Sequence, residues 1–318
     1  MRVVVTGGAG LVGRAVVRVL RSRDDEVIAL VRDPARGTFL AELGVELARD
    51  DLSDVDRLVG LVTGADAVIH AAGSYRIGIP LSQRAAMWDA NVGTATRLID
   101  AGVAAGVPRI VDVSTVIVFG DTHGEVVDET YRRDLGEGFL SWYDETKYRA
   151  HEIAEQRIAA GAPVLIVMPS QVYGPGDHSG FGEQLQRAHA GTLRYRAVDT
   201  LEIGLVHVDD LAAGIVAALD RGRAGQSYVL AGPATTLADA IAIAATLGGH
   251  RSPRLRIPDA VLRAMAPLGR LVGQPNIVEI VSASVGVTYL ASSAKAEGEL
   301  GFTAREIETG LRDTFSAA

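Results

Sequence analysis

Cysteine is absent from the 318 residues, so disulfides, zinc–thiolate centres and thiol nucleophiles are excluded. Aromatic residues make up only 5%, which leaves Ala, Val, Leu and Ile to build the core. Basic side chains are outnumbered by acidic ones, 31 to 39, giving a net charge of −8. A nucleic-acid backbone binder needs the opposite balance. No polybasic run suggests a membrane surface, and no apolar run is long enough to span a bilayer. The N-terminus passes directly into Val3-Val4-Val5, without the basic start, longer apolar core and cleavage site of a secretory leader. A cytoplasmic protein without nucleic-acid or membrane partners is therefore expected. The seven histidines are scattered and form no ligand-spaced pair, so no metal centre is expected.

What is present is an alternation. Apolar runs at 3–6, 26–31, 45–48, 67–70, 109–114 and 164–168 read as strands. Between them, 11–23, 35–43, 55–62, most of 82–105 and 141–160 carry helical spacing. This pattern predicts an α/β fold with a doubly wound parallel sheet covered on both faces. The rhythm breaks after Pro169. It returns as strand-then-helix over 206–220 and a strand at 227–230. From Thr235 the pattern is helical, interrupted by Pro253, Pro258, Pro267 and Pro275. The expected plan is a nucleotide domain of residues 1–173 and 204–232, with a smaller mixed C-terminal substrate lobe of residues 174–203 and 233–318.

Between the first strand and first helix lies Thr6-Gly7-Gly8-Ala9-Gly10-Leu11-Val12-Gly13. Gly7 and Gly10 permit a tight turn and close approach of backbone to a pyrophosphate, and Gly13 permits close helix–sheet packing. The helix start, at Leu11 and Val12, supplies free N–H donors and a favourable dipole. Some twenty residues on, Rossmann folds that use NAD place an acidic residue against the ribose 2′-hydroxyl. The second strand here ends in Val31, then Arg32 and Asp33. Arg32 suits a 2′-phosphate, with Arg36 near enough to assist. NADP is the expected cofactor and NAD, held by Asp33, the alternative.

Tyr143 and Lys147 stand four residues apart on a predicted helix, one turn apart on one face. A nearby ammonium favours a phenolate, so Tyr143 can exchange a proton with a substrate oxygen while hydride moves to or from a nicotinamide. Thr115, after the fifth strand, is the candidate hydroxyl for holding the carbonyl oxygen, with Ser114 as fallback; local backbone capping is its ordinary alternative.

The glycine turn, Asp51-Leu52, His70-Ala71-Ala72-Gly73, Asn91-Val92-Gly93-Thr94, the Tyr-x-x-x-Lys pair, Val172-Tyr173-Gly174-Pro175-Gly176-Asp177, His207-Val208-Asp209-Asp210 and the late Glu299-Leu300-Gly301-Phe302 occur in this order. Together they resemble the extended short-chain dehydrogenase/reductases of the NAD-dependent epimerase/dehydratase family, in a dihydroflavonol-reductase-like branch. The resemblance covers nearly the whole chain. It implies catalysis by Thr115, Tyr143 and Lys147. It implies cofactor contacts from Gly7, Gly10, Leu11, Val12, Arg32, Asp51, Leu52, Ala71, Ala72, Gly73, Asn91, Pro169 and Val172, as well as from Tyr143 and Lys147. It also implies pairing of two copies through the helices at 82–105 and 141–160. Asn91 has a helix cap as its other reading. Asp209 and Asp210 read as caps of a helix starting at Leu211.

Departures narrow the activity. Relatives that dehydrate nucleotide sugars carry an Asp-Glu pair where this chain has Val116 and Ile117, so 4,6-dehydratase chemistry is not expected. Met168 stands where an arginine is frequent, and Asp144 where glycine is frequent; a helix surface would tolerate the latter. Tyr75, Ile77, Ile79, Phe139, Trp142, Phe181 and Tyr195 are candidates for an apolar pocket, and Arg187, Arg194 and Arg196 for a nucleotide diphosphate. Three readings follow. The first is an NADP(H)-dependent oxidoreductase that reduces a ketone or aldehyde, or oxidises the alcohol, by hydride transfer. The second is a nucleotide-sugar epimerase with retained NAD(P), and the third a non-catalytic NADP(H)-binding regulator.

Overall fold

Val3, Val4 and Val5 are fully buried, as expected of a central strand covered on both faces. They form the middle of the large sheet in the computed structural model, which describes residues 1–267 and 276–316. The chain runs β1 (Arg2–Thr6), α1 (Leu11–Arg21), β2 (Glu26–Val31), α2 (Thr38–Glu42), β3 (Glu46–Arg49), α3 (Val55–Val62) and β4 (Ala67–His70). Next come α4 (Arg84–Trp88), a π-helical turn (Asp89–Gly93) and α5 (Thr94–Ala104), then β5 (Ile110–Val113), α6 (Trp142–Ala159) and β6 (Val164–Pro169). The long helix expected over 82–105 is thus present, with Asn91 in its π-turn.

The second half adds β7 (Gln171–Tyr173), α7 (Gly180–His189), β8 (Tyr195–Arg196), β9 (Glu202–His207), α8 (Val208–Arg221) and β10 (Ser227–Leu230). It ends with β11 (Ala234–Thr236), α9 (Leu237–Leu247), β12 (Leu255–Arg256), α10 (Asp259–Met265), α11 (Ile277–Ser282), β13 (Thr288–Tyr289), α12 (Ala294–Leu300) and α13 (Ile307–Ser316). Pro275 lies outside the described residues.

Seven parallel strands form the main sheet in the order β10-β6-β5-β4-β1-β2-β3. Side chains alternate between its faces. Val4, Val68, Ile110 and Ile166 pack under α3, α5 and α6, while Val5, Ile69, Val111 and Val167 pack under α1 and α8. Each such buried aliphatic contributes roughly 1.5–3 kcal/mol over an exposed one. β9 does not join this sheet. It pairs with β7, β11 and β13 in a smaller one. The helix after β9 starts at Val208, not Leu211, and its cap is His207, whose Nδ1 accepts the Asp209 N–H at 3.3 Å. Asp210 instead binds Arg305 across the fold at 2.6 and 2.9 Å. No helix among the described residues is long and apolar enough to cross a membrane.

Candidate active site

The sheet order reverses between β1 and β4, so helices leave their carboxyl ends in opposite directions and open a crevice. A cleft of about 1200 Å³ occupies it. At one end Gly7 has φ +70°, and a Cβ there would lie 2.6 Å from the Ala71 carbonyl oxygen. A Cβ on Gly13 would strike the Gly7 carbonyl. Both positions demand glycine. Gly10 begins α1 with no side-chain cap and no acidic residue in the first turn. The first-turn N–H groups, including those of Leu11 and Val12 on the cleft wall, have no intrahelical partners. This end can accept an anion. Arg14 and Arg18 also line it, with the Arg14 guanidinium 4.3 Å over the Phe39 ring. Sequence reading missed both arginines, although Arg14 directly follows the glycine turn.

Ala71, Ala72, Gly73, Asn91, Pro169 and Val172 line the cleft beside Gly10, Leu11 and Val12. Asn91 is no helix cap. Its Oδ1 accepts the Ser74 N–H at 2.7 Å, and its Nδ2 donates to the Ser74 carbonyl and to Thr146 Oγ1. It thereby ties the turn after β4 to α6. Gly7 lies behind the wall. Arg32, Asp51 and Leu52 are not on it. Asp51 is exposed, and its Oδ1 accepts both the backbone N–H and the hydroxyl of Ser53, which holds its carboxyl below the usual range. Leu52, at φ +63°, is buried, and its N–H donates to Asp50 at 2.6 Å. Arg32 is exposed beside Asp33, whose carboxylate accepts the Ala35 N–H at 3.1 Å. The Arg36 side chain lies outside the described ones.

Tyr143, Lys147 and Thr115 all line the cleft. Ser141 caps α6 by accepting the Asp144 N–H, which fixes the start of the helix that carries Tyr143. The Tyr143 ring packs edge-on to Tyr75 with centroids 5.0 Å apart. Its phenol has no hydrogen-bond partner among the described residues. Burial raises its pKa, with lesser contributions from Tyr75 and Asp144. Lys147 donates to the Val113 carbonyl at 3.1 Å. Burial lowers its pKa, and Asp112 opposes that. Burial, and not the Lys147 ammonium, is thus the main influence on the phenol. Thr115 Oγ1 accepts the Ile117 N–H at 3.3 Å, a bond that leaves its hydroxyl hydrogen free for a carbonyl oxygen. Ser114 is engaged elsewhere, 3.0 Å from His151 Nδ1.

Asp144 corrects an expectation. It is not on a helix surface but wholly buried, with Arg133 Nη1 at 2.6 Å and the Leu140 N–H at 2.9 Å. Trp142 and Phe139 also face away from the cleft. Trp142 stacks on Trp88 and donates to the Arg84 carbonyl, and Phe139 packs on Tyr148 and Arg133. Tyr195 is exposed on β8. The apolar wall comes from Tyr75, Ile77, Ile79 and Phe181 as anticipated, joined by Val198, Leu201, Ile203, Leu237, Ile280 and Tyr289 from distant segments. Arg187, Arg194 and Arg196 do not line it; Arg196 pairs with Asp199. Among the described residues no cluster of three or more His, Asp or Glu can hold a metal.

This fold and cleft define a nucleotide-binding α/β protein with a tyrosine–lysine pair. The chain belongs to the NAD dependent epimerase/dehydratase family, which matches residues 3–231. It is 30% identical to the putative dihydroflavonol 4-reductase of Synechocystis sp., over 97% of this chain and 92% of that one. It is 28% identical to the 2-alkyl-3-oxoalkanoate reductase of Stenotrophomonas maltophilia, over 98% of each. The crystal structure of gox2253 superposes with a TM-score of 0.85 at 29% identity, covering 99% of this chain and 97% of that one.

Proposed function

We propose that the protein is an NADP(H)-dependent reductase of an apolar ketone or aldehyde. The observation that carries this is the Tyr143 phenol, without a hydrogen-bond partner among the described residues, lining a cleft that joins an anion-accepting cradle to an apolar wall. The cradle fits a dinucleotide: Gly7 and Gly13 leave no room for a Cβ, and the start of α1 is uncapped. Gly10, Leu11 and Val12 would hold its pyrophosphate. Lys147 and Asn91, which line the same cleft, would face its nicotinamide half. Bound there, the reduced cofactor supplies hydride. Arg32, exposed just after β2, suits a 2′-phosphate, while Asp33 is engaged in its own turn.

The residues divide the remaining work. Thr115 donates a hydrogen bond to the substrate oxygen, and Tyr143 delivers a proton to it as the carbon is reduced. The apolar wall selects the substrate and excludes water. The two family relatives named as reductases support this direction. A nucleotide-sugar epimerase would need several cations for a diphosphate at the substrate end; Arg187, Arg194 and Arg196 lie off the cleft, while Arg76 lines it beside Tyr75 and Ile77. Replacing Tyr143 with Phe should lower kcat by at least about 100-fold, the ordinary worth of a positioned acid, with NADPH binding unchanged by fluorescence titration. Retained turnover would remove Tyr143 from the role.

A further inference from the structure

Each carbonyl reduction takes one proton that must come from water. Tyr143 is only 8% exposed, and substrate and cofactor would close the cleft above it. Four titratable residues, Tyr143, Lys147, His151 and Glu155, stand at successive four-residue steps on one face of α6. The line runs from the cleft to the surface. Ser114, whose residue lines the cleft, has its Oγ 3.0 Å from His151 Nδ1. The other ring nitrogen of His151, Nε2, is 3.6 Å from Glu155 Oε1. His151 is nearly buried, whereas the Glu155 side chain is 41% exposed. His151 and, more weakly, Arg132, 3.6 Å from the same Glu155 oxygen, hold that carboxyl below its usual range. The buried histidine thus bonds the Ser114 hydroxyl through one nitrogen and faces a solvent-exposed carboxylate, 3.6 Å away, with the other.

We infer that Ser114, His151 and Glu155 form a proton relay that recharges Tyr143 from solvent. The inference rests on the reductase reading. Hydride from the reduced nicotinamide goes to the carbonyl carbon, the Tyr143 proton goes to the carbonyl oxygen, and a phenolate is left. Glu155 collects a proton from water and passes it to His151 Nε2. The Nδ1 proton moves to Ser114 Oγ as the serine's own hydroxyl hydrogen leaves for a cleft water, which returns it to the phenolate. Proton exchange of the imidazole with water, gaining a proton at Nδ1 and losing the one at Nε2, restores the starting tautomer. The net input is one hydride and one solvent proton, and the product is the alcohol. The three are relay residues and do not touch substrate.

The test is a single turnover of the full-length protein with NADPH and a ketone in weak buffer. Nicotinamide absorbance reports hydride transfer, and a pH-indicator dye reports proton uptake. In the unmodified protein the two should coincide. In His151→Ala, hydride transfer should keep its rate while proton uptake lags at least tenfold, and added imidazole should close the lag. Glu155→Gln, at the exposed end where folding is least at risk, should show a smaller lag that rises with falling buffer concentration. A purely structural His151 would slow both signals together and would not respond to imidazole. Uptake that stays coincident with hydride transfer in both variants overturns the relay alone. Absence of hydride transfer in the unmodified protein overturns the reductase reading and the relay with it.

Discussion

Asp144→Asn should destabilise the fold by about 3 kcal/mol or more. The Asp144 side chain has no solvent exposure and Arg133 only 5%. The carboxylate accepts two bonds from the guanidinium, at 2.6 and 3.2 Å, and one from the Leu140 N–H. Burial pushes the Asp144 carboxyl up and Arg133 pulls it back, with burial the larger effect. The pair as a whole is therefore not a large net stabiliser; its weight lies in the cost of breaking it. Asparagine conserves the volume, so no cavity cost enters. What is left is a guanidinium packed against the Phe139 and Tyr148 rings, with only the Gly138 carbonyl and a neutral amide oxygen to accept from it. An uncompensated buried charge of this kind costs about 3–5 kcal/mol, a large share of a total stability of about 5–15 kcal/mol. Urea unfolding of both proteins measures the difference. The double variant Arg133→Met, Asp144→Leu should recover most of it, because both charges are then gone. A loss below about 1 kcal/mol for the single variant, or no recovery in the double, would refute the reasoning.

Two further outcomes are expected. His70 is buried, with Nδ1 2.8 Å from Thr6 Oγ1, and burial lowers its pKa from 6.5 to about 4. The unfolded chain then binds more protons than the folded one between pH 6.5 and 4, so stability contributed by His70 is full above pH 6.5 and is lost as pH falls through that window, by about 3 kcal/mol. Denaturant unfolding across pH should show this slope, and His70→Gln should flatten it. Arg32→Ala should raise KM for NADPH at least about tenfold, the loss of one charge-assisted pair worth about 1.5–3 kcal/mol, and leave KM for NADH nearly unchanged. Equal effects on both cofactors would remove Arg32 from 2′-phosphate recognition.

The parts of the site that were legible in the sequence are local. The glycine turn follows from spacing between a strand and a helix, and the Tyr143–Lys147 pair from the helical repeat. The parallel sheet follows from alternating apolar runs. What escaped was set by distant segments. Asp144 looked solvated because nothing near it in sequence demands burial; Arg133, eleven residues upstream in an irregular stretch, folds over it. Trp142 and Phe139 carry the same apolar signal as Tyr75, and only tertiary packing turns them from the cleft. His207 displaced Asp209 as the cap of α8 because the helix begins three residues earlier than its apolar periodicity suggests.

The central claim is tested most directly by following nicotinamide oxidation with purified protein and a panel of ketones and aldehydes of graded apolar size, with NADPH and NADH run in parallel. The account predicts turnover of apolar carbonyls with NADPH, higher kcat/KM as the apolar portion grows to fill the wall of Ile77, Ile79, Phe181 and Leu237, and weaker use of NADH. Tight NADPH binding with no oxidation by any carbonyl would contradict it.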